Sequence, residues 1–251
     1  MNQVGFPLLS IIIFLPFAGA LVSLFLGHNR KMIKAWALAV ALADLILACL
    51  LWGFFNYGAP GMQFVDRFAW IEPLGIQYYV GVDGVSLWLI LLTSLISPVA
   101  VLVSGATLDS QPEADARSYV FFLLLLETGV LGVFAAIDLV LFYIFWEAML
   151  VPAYFLIGRW GGERRLYATL KFFLYTLAGS ALMLVGILVL AALNFQNSGV
   201  LTFDLMVFYD LPLTWWAQMW IFLAFALAFL VKAPVWPLHT WLPDAYVESP
   251  T

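Results

Sequence analysis

Seven mostly apolar stretches of about 20 residues run along this chain of 251 residues, at roughly 7 to 26, 33 to 55, 84 to 105, 118 to 137, 139 to 158, 167 to 193 and 218 to 236. A helix of about 20 apolar residues crosses a hydrocarbon core ~30 Å thick, and in lipid it is one of the few shapes that satisfies its own backbone hydrogen bonds. No segment shows the alternating pattern of barrel strands. The fold is therefore expected to be all-α, a polytopic transmembrane helix bundle. Composition agrees, at 65% hydrophobic and 10% charged residues, where a soluble domain is about half apolar and a quarter charged. The first window is read as a retained helix and not a signal peptide, because no basic residue lies between Met1 and Gly5.

The basic residues orient the bundle. Arg30, Lys31 and Lys34 follow the first window, Arg117 precedes the fourth, and Arg159, Arg164 and Arg165 separate the fifth from the sixth. By alternation these loops share one side, and an excess of Lys and Arg marks the cytoplasmic side or its equivalent. Only Arg67 lies in an opposite loop. The N-terminus is thus expected outside. Asp109, Glu113 and Asp115 also fall on the inner side, which the rule tolerates because it counts Lys and Arg and not net charge.

The outer loops differ in character. Residues 56 to 83 alternate turn residues with aromatic runs such as Phe68-Ala69-Trp70-Ile71 and Ile76-Gln77-Tyr78-Tyr79-Val80, a pattern that predicts a short β-hairpin. A second outer loop is expected over 194 to 217, polar from Asn194 to Gly199. Ala136-Ile137-Asp138 must turn the chain between the fourth and fifth windows, with Asp138 capping the helix that follows.

Ionisable residues at membrane depth are the functional clue. A charged side chain at a helix centre costs about 2.5 to 3.5 kcal/mol on insertion scales, so it is retained where a buried partner, a wet cavity or a bound proton offsets that cost. Glu147 lies eight residues into the fifth window, about 12 Å deep at ~1.5 Å per residue, too deep to reach the surface. The proton affinity of such an acid depends on how near an ammonium stands, and a movable partner is what a pump requires. Lys232 precedes Pro234 and Pro237; each proline removes a backbone donor and clashes with the preceding turn, so the seventh helix is expected to break there. Broken backbone at membrane depth is where transporters place ion sites.

The other polar positions divide more evenly. Lys171, four residues into the sixth window, fits either a proton relay or a lysine snorkelling to the surface. Glu127, near the middle of the fourth window, is a relay candidate. Asp44, with no ionisable neighbour on its own stretch, is read as a neutral, hydrogen-bonded acid. His239 lies just past the break, near enough to Thr240 and Asp244 for a short proton-relaying chain. His28 is read as ordinary surface.

Other chemistries find no support. No glycine-rich dinucleotide or phosphate loop, no serine-nucleophile motif and no Cys/His cluster is present. Cys49 is the single cysteine and the two histidines are far apart, which argues against thiol-metal or haem ligation. No metal site, catalytic residue or cofactor is expected in this chain. Its ionisable residues fit the movement of protons or cations.

Three motifs carry a resemblance. Phe145-Trp146-Glu147-Ala148-Met149-Leu150-Val151-Pro152, Lys171-Phe172-Phe173-Leu174-Tyr175-Thr176, and Val231-Lys232-Ala233-Pro234-Val235-Trp236-Pro237-Leu238-His239-Thr240-Trp241-Leu242-Pro243-Asp244-Ala245 occur in order. They resemble the antiporter-like membrane subunits of respiratory complex I (NADH:quinone oxidoreductase), of the chain M or subunit 4 type. Gly81-Val82-Asp83-Gly84-Val85-Ser86 and Glu248-Ser249-Pro250-Thr251 are similar to that type as well.

The resemblance implies a proton-translocating subunit without redox centres of its own. It would sit in an energy-transducing membrane such as the bacterial inner membrane, with NADH, FMN, iron-sulfur clusters and quinone held by other subunits. Expected partners are those membrane subunits, including neighbouring antiporter-like ones, together with the bilayer and protons, and not nucleic acid. Family members pair a glutamate and a lysine that match Glu147 and Lys232, and Lys171 matches a further family lysine. By this reading residues 1 to 117 hold three N-terminal helices with the hairpin, and 118 to 251 begin an antiporter-like repeat. The family's later charged helices find no counterpart before Thr251, so the chain is expected to be a piece of a longer protein holding the uptake half of a proton route. Two other readings stay open, the large subunit of a multisubunit cation/proton antiporter and a non-conducting structural subunit.

Overall fold

The computed structural model describes residues 5–26, 29–110 and 113–250, apart from the side chains of Ala106, Ser110, Glu113 and Ala114. The readings of the head before Gly5, of His28, of the Glu113 side chain and of Thr251 lie outside the described residues. In chain order the elements are α1 (Leu8–Phe25), α2 (Arg30–Gly53), β1 (Gln63–Ile71), β2 (Ile76–Val82), α3 (Gly84–Val103), α4 (Gly105–Ser110), α5 (Glu113–Ala135), α6 (Leu139–Ala148), α7 (Leu150–Trp160), α8 (Arg165–Ser198), α9 (Leu205–Tyr209), α10 (Trp215–Lys232) and α11 (Trp241–Glu248). Among the described residues seven spans are long and apolar enough to cross a membrane, with α6 and α7 together making one of them. The all-α bundle and the hairpin are as expected. β1 and β2 form a two-stranded sheet joined by a 3-10 turn at Glu72–Leu74 and by Gly75, whose φ of 66° is left-handed backbone that glycine adopts without strain.

The chain divides into two compact units, one of residues 1–67 and 80–136 and the other of 68–79 and 137–250. In the first, α1 packs on α5 and α2, and α3 packs on α2 and α5. Its helix starts are set by short polar side chains. Asn29 accepts the N–H groups of Lys31 and Met32, and Asp83 with Ser86 forms a reciprocal capping box. Burial opposes charge on Asp83, but hydrogen bonds from Ser86 and Val85 outweigh it and hold the carboxyl below the ordinary carboxylate range. Pro16 and Pro98 lie inside α1 and α3, yet both helices run on through them.

The second unit is organised on α8, which at 34 residues is about 51 Å long at ~1.5 Å per residue. α10, α7, α11 and α6 all pack on it. Gly179 faces Val231 and Gly186 faces Phe225 and Ala224, so closely that a Cβ would fit only if the neighbour shifted by a few tenths of an ångström, and these small residues let α8 and α10 approach. α8 also runs past the expected end of the sixth window. The Asn194 amide donates to Ser198 Oγ (3.2 Å) and to the Val200 carbonyl (2.9 Å), so the polar stretch expected to be loop completes the helix up to the left-handed Gly199.

Two spans of this unit are interrupted. The fifth window, expected as one helix, is divided between α6 and α7 at Met149, whose backbone stays helical at φ −65° and ψ −27°. Pro152 lacks the N–H that would reach the Ala148 carbonyl, so a hydrogen-bond rung is missing while the helical course continues. The seventh span ends at Lys232, as its prolines predict. Pro234 leaves the Leu230 carbonyl without its usual donor, and the Val235 N–H takes it at 2.9 Å. The Trp236–Pro237 peptide is cis, and α11 resumes at Trp241.

Candidate functional site

Glu147 and Lys232 each stand at the interruption of their own span, Glu147 next to last in α6 and Lys232 last in α10. The Lys232 ammonium lies over the Trp146 ring, 5.1 Å from its centroid, a cation–π contact that offsets part of its desolvation. Trp146 is held by Phe142 at 5.5 Å and Phe229 at 5.6 Å between ring centroids. The Glu147 carboxylate is close enough for its charge to act on Lys232, but the two make no direct ion pair within 4.0 Å. Glu147 Oε1 is buried without a hydrogen-bond partner. Tyr143, one turn earlier on α6, brings its hydroxyl near the carboxyl and near Ser180 of α8. Sequence reasoning missed Tyr143, although its i, i+4 spacing from Glu147 was a visible signal.

Lys171 does not stand alone. Its ammonium pairs with Asp244 of α11 at 2.7 Å and lies 5.7 Å from the centre of the Tyr167 ring. That pairing changes the reading of His239. The expected chain from His239 through Thr240 to Asp244 does not form, because the Asp244 carboxylate is turned to Lys171 and the Thr240 hydroxyl bonds the Tyr175 hydroxyl at 3.0 Å. His239 Nδ1 is buried without a partner. Trp241 fixes the far side of the break, its indole N–H donating to the Val231 carbonyl at 2.9 Å.

Asp138 caps α6 as expected, accepting from the N–H groups of Val140 (2.9 Å) and Leu141 (3.1 Å). Its second oxygen accepts from the Gln77 N–H at 3.1 Å, and backbone bonds join Ile137 to Tyr79 and to Leu205. Burial pushes the Asp138 carboxyl above the ordinary carboxylate value; its backbone hydrogen bonds act against this, and the nearby Asp204 charge adds to it.

In the first unit the structure joins residues that the sequence kept apart. Asp44 on α2 is fully buried and accepts a 2.7 Å hydrogen bond from the Ser94 hydroxyl of α3. Its hydrogen-bonded character was expected. The proximity of Glu127 on α5, near enough for the Asp44 charge to act on it, was not. Among the described residues no group of three or more His, Cys, Asp or Glu side chains is arranged to hold a metal ion.

Comparison with known proteins agrees with this architecture. A family described as NADH-ubiquinone oxidoreductase chain 4, amino terminus, matches residues 8–131. A second, NADH:quinone oxidoreductase/Mrp antiporter, TM, matches residues 136–251. NADH-quinone oxidoreductase subunit M of Rhodobacter capsulatus is 40% identical over 97% of this chain and 49% of its own length. The chain therefore spans about half the length of the curated relatives it matches. A chain of respiratory complex I from Thermus thermophilus with bound NADH superposes with a TM-score of 0.82 at 32% identity, over 96% of this chain and 47% of that one. A chain of the Mrp complex from Dietzia sp. DQ12-45-1b shares the fold, with a TM-score of 0.77 at 23% identity over 96% of this chain and 25% of its own. This chain is thus an integral membrane protein that belongs, through residues 8–131 and 136–251, to these two NADH:quinone oxidoreductase subunit families, and it is similar to about half the length of subunit M.

Proposed function

We propose that the chain is the N-terminal part of a proton-translocating membrane-arm subunit of an NADH:quinone oxidoreductase. The observation that carries this reading is the Glu147 and Lys232 arrangement: an acid and an ammonium, each at a helix interruption, electrostatically in touch but not bonded. An unpartnered buried carboxyl oxygen and a nearby ammonium held over an indole ring, with no direct bond between them, support a pair whose separation can change. Approach of the ammonium favours the carboxylate and releases a proton, and its withdrawal favours proton uptake. Electron transfer in other subunits, which would carry NADH, FMN, iron-sulfur clusters and quinone, supplies the energy. Lys171 and His239 belong to the onward path in this reading. Lys171 reaches it through Asp244, and His239 through its free ring nitrogen. The N-terminus faces outward from a bacterial inner membrane or its equivalent, on the evidence of the basic loops, and neighbouring membrane subunits flank the chain.

The test uses the full-length protein in its assembled complex. In inverted vesicles, Glu147→Gln is expected to lower protons moved per NADH oxidised. Unchanged pumping with normal oxidation would favour a structural subunit, and proton movement that requires sodium would favour a cation/proton antiporter.

A further inference from the structure

The first unit contains a pair of buried acids that the Glu147 and Lys232 arrangement does not use. Asp44 is 0% exposed and Glu127 is 5% exposed. Each has a carboxyl oxygen without a hydrogen-bond partner, Oδ1 of Asp44 and Oε1 of Glu127. The groups that do reach them come from α3. Ser94 donates to Asp44 at 2.7 Å, and the Ser97 hydroxyl, one turn on, donates to the Thr93 carbonyl at 3.1 Å and lies near Glu127. Beside them opens a cavity of about 230 Å³ between α3 and α5, lined mostly by apolar side chains such as Ile96, Leu123 and Val130, with Thr93, Ser97 and Glu127 as its polar members. It is large enough for several waters, each of which occupies about 30 Å³ in the liquid.

Two carboxylates cannot both remain charged in such surroundings without a cation. None is at hand among the described residues. α1 and α3 carry no ionisable side chain at all. On α2, Lys34 pairs with Asp109, Arg30 donates to the Asp109 carbonyl, Lys31 is exposed, and Cys49 is exposed. On α5, Arg117 donates to the carbonyls of Leu24 and Leu26, and Asp115 and Tyr119 lie with it two or more turns before Glu127. Asp109 is the ionisable residue of α4 and is taken by Lys34.

We propose that Asp44 and Glu127 form a second intramembrane proton-binding site of two coupled carboxyls, whose exchangeable proton enters through the cavity beside Ser97. Ser94 fixes one Asp44 oxygen and leaves the other free to carry a proton. Glu127, which lines the cavity, is the member that exchanges with water. The site differs in kind from the Glu147 region, since acid faces acid and hydroxyls stand where the ammonium would be. It does not depend on what Glu147 and Lys232 do.

Dicyclohexylcarbodiimide is a suitable probe, because it adds to protonated carboxyls in apolar surroundings and leaves a stable N-acylurea that peptide mass spectrometry locates. The complex containing the full-length protein would be labelled across a pH series. Glu127 is expected to label at a rate that falls as pH rises, and Asp44→Asn is expected to move that profile by about one pH unit or more, as a coupled pair requires. Ser94→Ala, which removes the Asp44 hydrogen bond and retains both acids, should move it in turn. The proposal is overturned if Glu127 does not label at any pH, or if its profile is the same in wild type, Asp44→Asn and Ser94→Ala.

Discussion

The two units solve the problem of buried charge in opposite ways. In the first, acid meets acid, the helices run on through their prolines, and hydroxyls of α3 satisfy only some of the oxygens. In the second, acid meets ammonium, and both helices that carry them are interrupted within a few residues of the charge. Position explains the difference between the prolines. Pro98 frees the carbonyl of Ser94 and leaves the helical course unchanged, whereas Pro234 and Pro237 follow each other closely enough to end α10. A continuous helix fixes its acid in one place. An interrupted one leaves room for a charge to be set off from its partner.

The largest expected effect falls on the second unit. In the full-length complex, Glu147→Gln should lower proton movement per NADH oxidised in a vesicle pumping assay, and Lys232→Met should do the same. If either variant pumps normally, the contrast between the units has no functional meaning. In the first unit, Ser94→Ala leaves a buried Asp44 without the hydroxyl that donates to it and should cost about 1 to 3 kcal/mol, measured as a lower unfolding temperature in detergent.

A smaller effect is expected at the turn between the α5 and α6 segments. Asp138→Ala removes the α6 cap and should cost about 0.5 to 2 kcal/mol. Because burial raises the folded-state value of Asp138, the folded protein binds this proton more tightly than the unfolded chain. Its contribution is present at low pH and is lost as pH rises from the ordinary carboxylate value through the raised one. Asp138→Asn should therefore flatten that part of the stability profile, and an unaltered slope would remove the role assigned to burial. The smallest effect on stability belongs to Lys171→Met, since its ion pair with Asp244 is partly open to solvent at 21% and 31% exposure. A double-mutant cycle with Asp244→Asn should find weak coupling in stability.

The spans, the hairpin and the second helix break were legible because each has a local cause: an apolar run, turn residues, or a pair of prolines. The caps at Asn29, Asp83 and Asp138 have such causes too. Pro152 is equally visible in the sequence, but a single proline does not by itself tell whether the helical course continues past it. The partnerships were not legible. Asp44 and Glu127 stand 83 positions apart on helices that are apolar nearly all round, so no stripe shows which faces meet. Lys171 and Asp244 are 73 apart, and their pairing depends on how α11 folds back along α8 after the break. Such contacts belong to tertiary packing and leave no period in the sequence.

The segment after Lys232 is fastened along its length. Trp241 is tied to Val231, Asp244 to Lys171, and Glu248 takes the N–H groups of Gly162 and Arg164 through its carbonyl and its carboxylate, at 3.0 and 2.9 Å. The interruption therefore acts as a weld and not as a pivot. With α11 riveted to the α7–α8 corner, the cheapest travel left to the Lys232 charge is a swing of its own four-carbon stem off the Trp146 face. That stroke is a rotamer change, and it needs no sliding of whole helices.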